Sequence, residues 1–463
     1  MSESETQAAG WYETTAVARP ERTRLNVDLD VDVCVIGAGL AGLTVAREVA
    51  QRGWSVAVLE AGRVAWAASG RNTGFVLPGF SEHIDGMVER VGLDHAKQLW
   101  ALSEQGVDYV RRTIDETGMP GVDPVPGWLH ISKTDNDNDI RAYVERLRWI
   151  GADVEFWPKE RVREQLANPR YFNAVHSRRA FHIHPFNYAL GLAAQAEAAG
   201  ARIFEDTPAV TIDAAGVRKR IGTPSARVRA GHVVLAGNVH LGALMPRLAA
   251  TLLPVTTFVL VTEPLGPVLN EIMRYRGAVS DTNRADNHYR IVGGANSGGE
   301  RLQWSGRMRA WQADPRWLAR GLVADIKRNF PGLGKVAIAH LWRGTLGRTI
   351  HRMPQIGEIE RGVWLTSGFG GHGLNTSAMG GELVARGIVE GDQTWRLFAP
   401  YELVWAGGVL ARVVAQGLYW GRSPGERVRQ GLSRYREQAR IRKAARLAVQ
   451  QGSDPGTGQA TAE

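Results

Sequence analysis

Residues 31–60 read VDVCVIGAGLAGLTVAREVAQRGWSVAVLE. Val31, Val33, Val35 and Ile36 make an apolar, β-branched run that stops at Gly37-Ala38-Gly39-Leu40-Ala41-Gly42. This pattern predicts a buried strand that enters a glycine turn and then a helix. Gly37 permits the tight turn, Gly39 lets backbone approach a pyrophosphate, and Gly42 lets the helix pack closely on the strand. The helix N-terminus adds free N–H groups and the positive end of a dipole. A second strand, Ser55 to Leu59, ends at Glu60, whose carboxylate suits a ribose 2′-hydroxyl and repels a 2′-phosphate. Strand, glycines, helix, strand and acid in one unit point to an adenine dinucleotide.

The rest of the chain sets the context. It has 463 residues, 44% hydrophobic and 22% charged, enough for a large core in two or three domains or one interleaved pair. Its single cysteine, Cys34, lies inside the first strand, which excludes an internal disulfide, a thiolate metal cluster or a two-cysteine redox pair and fits a reducing cytoplasm. The start, MSESETQAAG, is polar and acidic without an export pattern, and residues 1–24 are expected to trail loosely. The net charge of +9 is concentrated in residues 422–446, where arginines and Lys443 face only Glu426 and Glu437. A solvated helix face is the simplest reading of this run. An anionic membrane surface is its main rival, and nucleic acid is not expected as a partner.

After Glu60 the small-residue loop Ala67-Ala68-Ser69-Gly70-Arg71-Asn72-Thr73-Gly74 lets backbone come close to a flat ligand, with Ser69, Arg71 and Asn72 able to reach phosphate or ring atoms. Residues 81–118 read as helices, and 127–132 as a short strand where the architecture changes. His182 and His184 alternate, but no third ligand stands at metal spacing, so no metal is expected. The strand 232–238 ends in glycine beside the first unit. Alternating segments between about 245 and 345 suggest an antiparallel sheet with flanking helices. Trp304, Trp311 and Trp317 read as core or rim residues there.

A second informative stretch is Ser367-Gly368-Phe369-Gly370-Gly371-His372-Gly373-Leu374-Asn375, which leads into a helix. So many glycines are costly unless a ligand ring or close-packed backbone needs the space. The helix N-terminus there can stabilise negative charge at the far end of a flavin. A nicotinamide enzyme does not need this second site.

Together, GAGLAG with Glu60, the ASGRNTG loop, the His-Ile-His-Pro segment, the VVLAGN strand and GFGGHGLN resemble the FAD-dependent D-amino-acid oxidase superfamily. The similarity is strongest to its glycine and sarcosine oxidase type and the γ-glutamylputrescine oxidoreductase branch, and it spans residues 11–395, including Trp11-Tyr12. The resemblance implies an α/β fold, with a Rossmann-like FAD-binding domain interleaved with an α+β substrate domain built on an antiparallel sheet. It implies oxidation of an amine or amino acid by hydride transfer to flavin N5, giving an imine that hydrolyses. Gly37, Gly39, Gly42 and Glu60 are then expected to hold the ADP half. Ser69, Arg71, Asn72 and Gly74 would line the flavin, Val210 would meet the adenine side through its backbone, and Gly371, His372 and Gly373 would face the pyrimidine edge. His372 is the candidate for tuning the flavin, and Arg348 and His351 are candidates for a substrate carboxylate. Relatives that tether FAD use a late cysteine, so FAD here is expected to be non-covalent. Phe75 stands where the polyamine-type branch often has glutamine, which leaves the substrate open.

The domain reading assigns 1–24 to a flexible N-terminus, 25–118, 176–245 and 342–396 to the FAD-binding domain, and 119–175 and 246–341 to the substrate domain. Residues 397–463 form an apolar helix and basic tail. The apolar stretch 397–421 is as long as a membrane span, but Glu402, Arg412 and Gln416 interrupt it, so it is read as interfacial or as a cover for protein or a homo-oligomer contact. A membrane-docked form, peripheral on the inner face of the cytoplasmic membrane, passes electrons to quinone; a cytoplasmic one favours oxygen. A flavin monooxygenase lacks support because no second GxGxxG unit follows a strand, and a non-catalytic flavin-binding partner protein stays open.

Overall fold

The computed structural model describes residues 10–282, 287–309, 315–408, 413, 414 and 423–452. The strand Leu29–Ile36 lies in the middle of the first sheet, flanked in parallel by Val56–Leu59 on one side and Arg227–Leu235 on the other. Arg202–Phe204 extends one edge in parallel, and Val363–Ser367 continues the other before Gln355–Glu360 closes it antiparallel. Both faces of this sheet are covered, which is why its strands read as unbroken apolar runs. Val33, Val35, Val58 and Val234 pack on the helical side with Leu43 and Val384, while Cys34, Ile36, Leu59 and Leu235 pack with Leu241 and Leu365 on the other. The helices Leu40–Gln51, Leu93–Thr117 and Gly373–Val389 pack together over the first face.

Among the described residues the second sheet has nine strands, ordered Ile338–Arg348, Leu253–Thr262, Gly299–Arg309, Asn287–Gly294, Ala278–Asp281, Val125–Ile131, Ala174–His182 and Phe75–Val76, with Val154–Trp157 paired to Ala174–His182. It is antiparallel except where Ala278–Asp281 runs parallel to Val125–Ile131. Its outer core buries Phe258, Leu260, Tyr289 and Trp304 against Leu318, Leu322 and Ile326 of the helix Pro315–Asn329. Trp304 is fully buried and stacked on Tyr289 with ring centroids 4.5 Å apart, so it is a core residue. Trp311 and the Trp317 side chain lie outside the described residues.

The chain passes between the sheets repeatedly, and two boundaries drawn from sequence fall inside strands. The whole of Ala174–His182 and the whole of Ile338–Arg348 belong to the second sheet, because each pairs along its length with strands there. The strand ends at His182, and His184 instead caps the helix Pro185–Ala198, its ring nitrogen accepting the Asn187 N–H at 3.1 Å.

Residues 10–24 do not trail loosely. Trp11–Thr14 form a short helix with Trp11 and Tyr12 buried, and Arg22 pairs bidentately with Glu197 at 2.7 and 2.8 Å. Tyr12 donates its hydroxyl proton to Gln303 at 2.8 Å and accepts from Arg290 at 3.0 Å. Arg290 is itself buried, and its other nitrogen is held by His182 and the Ile183 carbonyl. The N-terminal segment thus closes a polar cluster beneath the Thr73-Gly74 loop, whose Thr73 carbonyl accepts from Gln303. Residues 1–9 lie outside the described region.

The apolar stretch after 397 is a 3-10 turn followed by irregular chain at 402–407, seated on the protein through buried Phe398, Tyr401 and Ala406. The part expected as an interfacial helix falls mostly on residues 409–412 and 415–422, outside those described. No described helix is long and apolar enough to cross a membrane.

Candidate active site

The first glycine turn is shaped by contacts that exclude side chains. Gly37 has φ +108°, and a β-carbon on Gly42 would stand 2.0 Å from the Gly37 carbonyl oxygen. Gly39 caps the helix Leu40–Gln51, and the Ser69 hydroxyl accepts the Leu40 N–H at 3.0 Å. Glu60 accepts from the Ala38 N–H, the Gly62 N–H and the Trp66 indole, each at 2.8 Å. Burial outweighs these bonds and raises its pKa. Three of a carboxylate's roughly four acceptor directions are therefore taken inside the protein, so Glu60 organises the turn itself.

A cavity of ≈ 1030 Å³ runs from this turn to the second one, with Gly37, Gly39 and Glu60 on its wall as well as Gly371, His372 and Gly373. The second turn precedes the helix Gly373–Val389, with His372 at its N-cap. Ser81 supports it by accepting the Gly371 N–H at 2.8 Å. His372 Nδ1 is buried without a hydrogen-bond partner among the described residues. Burial first, then the charges of His288, Arg348 and His83, lower its pKa to about 4, so the ring is neutral at pH 7.

The second sheet supplies another wall. Trp128 donates its indole proton to Ser280 Oγ at 2.9 Å, and Ser280 bonds His288 Nδ1 at 2.8 Å. His130 lies on the same strand as Trp128, two residues on, and burial holds its pKa at about 4. These residues all line the cavity, which joins the first glycine turn to a polar wall on the second sheet.

The family described as FAD dependent oxidoreductase matches residues 32–386. The chain belongs to that family. It is 30% identical over 390 residues to the gamma-glutamylputrescine oxidoreductase of Escherichia coli (strain K12), an overlap of 83% of this chain and 89% of the relative. Among solved structures it is similar to L-proline dehydrogenase from P. horikoshii, with TM-score 0.68 at 19% identity over 81% of this chain and 98% of that one. It is also similar to glycine oxidase from Geobacillus kaustophilus, with TM-score 0.66 at 20% identity over 81% and 99%. The interleaved fold is thus shared, and the protein is an FAD-dependent oxidoreductase of amines or amino acids.

The residues this oxidoreductase was expected to use are not all on the cavity. Ser69, Asn72 and Arg348 line it together with Gly37, Gly39, Gly371 and Gly373. Asn72 spends its side chain on the loop, donating to the Ala68 and Ser69 carbonyls and accepting the Gly74 N–H. Gly42, Arg71, Gly74, Val210 and His351 do not line it. Gly42 is a packing contact inside the helix. Arg71 sits at the end of the turn Ala68–Arg71, so Ser69 faces Leu40 while the Arg71 guanidinium lies 3.5 Å from Glu13. Gly74, at φ +81°, packs on the Ile183 carbonyl. Val210 gives its N–H to Gly222 and turns its side chain outward, so Pro208 and Ala209 reach the cavity in its place. His351 is buried in its own turn, Nδ1 accepting the Met353 N–H and Nε2 bonding the Glu402 carbonyl. Cys34 is buried, and its thiol is pushed up to about 12, so the chain's single cysteine is no nucleophile for a flavin tether.

Sequence reading passed over His130, Ser280 and His288. Trp128 and His130 share a strand face by their two-residue spacing, which was the available signal. Ser280 and His288 lie on separate strands, and their pairing is visible only once the register Ser280↔His288 is known.

Proposed function

We propose that this oxidoreductase oxidises the C–N bond of an amine or amino acid, γ-glutamyl amines among them, and returns the electrons to oxygen or quinone. The observation that carries the reading is the single cavity joining two glycine turns to the polar face of the second sheet. Gly37, Gly39 and Ser69 would hold the pyrophosphate, Glu60 a ribose hydroxyl, and Gly371, His372 and Gly373 the pyrimidine edge of the flavin. The orphaned His372 Nδ1 and the open space around Gly373 fit such a flat, polar ligand. Bound non-covalently, FAD supplies the acceptor for the hydride that leaves the carbon next to nitrogen.

The protein's own part is placement and desolvation. A neutral amine needs no strong base, and the imidazoles of His130 and His372, held uncharged, do not repel a cation before it loses its proton. Arg348, at the end of its strand and bridged to Phe369, would receive a substrate carboxylate. The resulting imine takes up water on release.

An anaerobic absorbance titration against amines, γ-glutamyl amines and D- and L-amino acids tests this. Bleaching of a yellow protein by one member fixes the class. A protein that takes up no FAD, or a yellow one that no member reduces, counts against it. Quinone as acceptor draws support from the exposed Leu403, Val404 and Trp405, which precede the basic C-terminal helix in the chain, a combination suited to an anionic membrane. Sedimentation with phosphatidylglycerol vesicles, coupled to quinone reduction, checks that arm.

A further inference from the structure

The C-terminal helix Ser423–Gly452 lies beyond residues 32–386, where the family match ends. It nevertheless docks beside the second sheet, on the helix Lys159–Gln165 and the loop at Asp135. Glu437 is buried and accepts both arms of Arg163 at 2.8 and 3.0 Å and Lys159 at 3.2 Å. Arg163 is braced in turn by the carbonyls of Tyr171 and Pro169. One turn further on, Arg440 holds Asp135 at 2.9 Å, the neighbour of Thr134 on the cavity wall. Ser433 is buried as well.

Positions 429, 433 and 437 are spaced by four and so share a helix face. That face is the docked one, and it carries Arg429, itself solvent-exposed, about 12 Å from the Glu437 anchor along the helix axis. Arg429 and Gln430 line the same cavity as both glycine turns. Among its described lining residues the carboxylates are Glu60 and Glu82. Glu60 is committed to the turn, and Glu82 accepts the His83 N–H at 2.9 Å. Arg348, Arg352 and Arg429 stand against them, so the cavity favours an anionic ligand with a guanidinium at the C-terminal helix.

We propose that the C-terminal helix supplies a subsite to this cavity, in which Arg429, with Gln430 beside it, binds a carboxylate carried at the end of the substrate away from the oxidised C–N bond. The substrate class is then an amine or amino acid with a distal carboxylate. This rests on the function proposed above and deepens it. Glu437 is the positioning residue that keeps Arg429 in place.

The test uses the full chain under anaerobic conditions and two probes that differ only in the distal carboxylate, 5-aminopentanoate and pentylamine, followed by intrinsic tryptophan fluorescence, to which Trp66, Trp100 and Trp128 contribute from the cavity wall, with or without FAD. The wild-type protein is expected to prefer 5-aminopentanoate. Arg429→Gln should weaken 5-aminopentanoate by about tenfold or more and leave pentylamine unchanged, Arg429→Lys should restore part of the loss, and Glu437→Gln should reproduce it without touching the cavity. No preference for 5-aminopentanoate in the wild type, or an equal loss for both probes in Arg429→Gln, or no loss for either, overturns the subsite. Failure to take up FAD while the 5-aminopentanoate preference persists would instead sink the function on which it rests.

Discussion

Gly42 faces the carbonyl oxygen of Gly37 so closely that a β-carbon would lie 2.0 Å from it. Both partners are backbone, so neither can rotate away. Gly42→Ala is expected to lose FAD retention and to lower the thermal midpoint. Gly39→Ala meets only the Ser69 hydroxyl, at 2.8 Å, a side chain that can turn, and should keep the fold while weakening FAD. Equal behaviour of the two variants in a flavin-release and melting assay would contradict this ranking.

Removing the hydroxyl of Tyr12 leaves buried Arg290 and Gln303 each short of a partner. Tyr12→Phe should therefore destabilise the protein by about 1–3 kcal/mol, read as a shift in urea midpoint at constant slope. A change inside experimental error would mean that the N-terminal segment contributes little.

Glu60→Gln keeps the shape of the side chain but turns an amide N–H₂ toward donors at Ala38, Gly62 or Trp66. Expected outcomes are weaker FAD binding by equilibrium dialysis and a less stable apoprotein. An apoprotein of unchanged stability would show that the carboxylate does not organise the turn.

The pKa of His130 falls from 6.5 to about 4 on folding, so below pH 6.5 the unfolded chain binds a proton that the native state refuses. Its contribution is fully present above pH 6.5 and is lost as pH falls toward 4, at up to about 1.4 kcal/mol per pH unit. His130→Gln removes that titration. The stability difference between wild type and variant should thus move in the variant's favour between pH 6.5 and 4.5, and parallel urea curves at both pH values would refute it.

Much of this was legible in residues 31–60, because a strand buried on both faces and a glycine turn leave a local signature. The second turn at 368–373 was readable as a glycine-rich entry to a helix, although Gly368 and Gly370 also serve the backbone itself, at φ +71° and +58° and packed on Thr349 and Ser81. What sequence could not show depends on partners far apart along the chain. Trp11-Tyr12 follow a polar start, and only Gln303 and Arg290 reveal why they are buried. His351 looks like a substrate ligand until the Glu402 carbonyl is placed beside it. Val210 was one of three neighbouring residues, and the hairpin bond to Gly222 decided which of them faces inward. Arg429 sits in a run of arginines that is indistinguishable from a solvated face until Glu437 finds Arg163.

The central strand Leu29–Ile36 has Val56–Leu59 on one side, but its other neighbour is Arg227–Leu235, and beyond that Val363–Ser367. A nascent chain emerging from the ribosome therefore carries the glycine turn long before the sheet that supports it can close. Its apolar strand waits as an open edge until about half of the protein has been made, and a fragment ending before Val363 lacks a strand of this sheet. Flavin capture is accordingly a late event in biosynthesis, and premature termination yields chains suited to degradation rather than to partial activity.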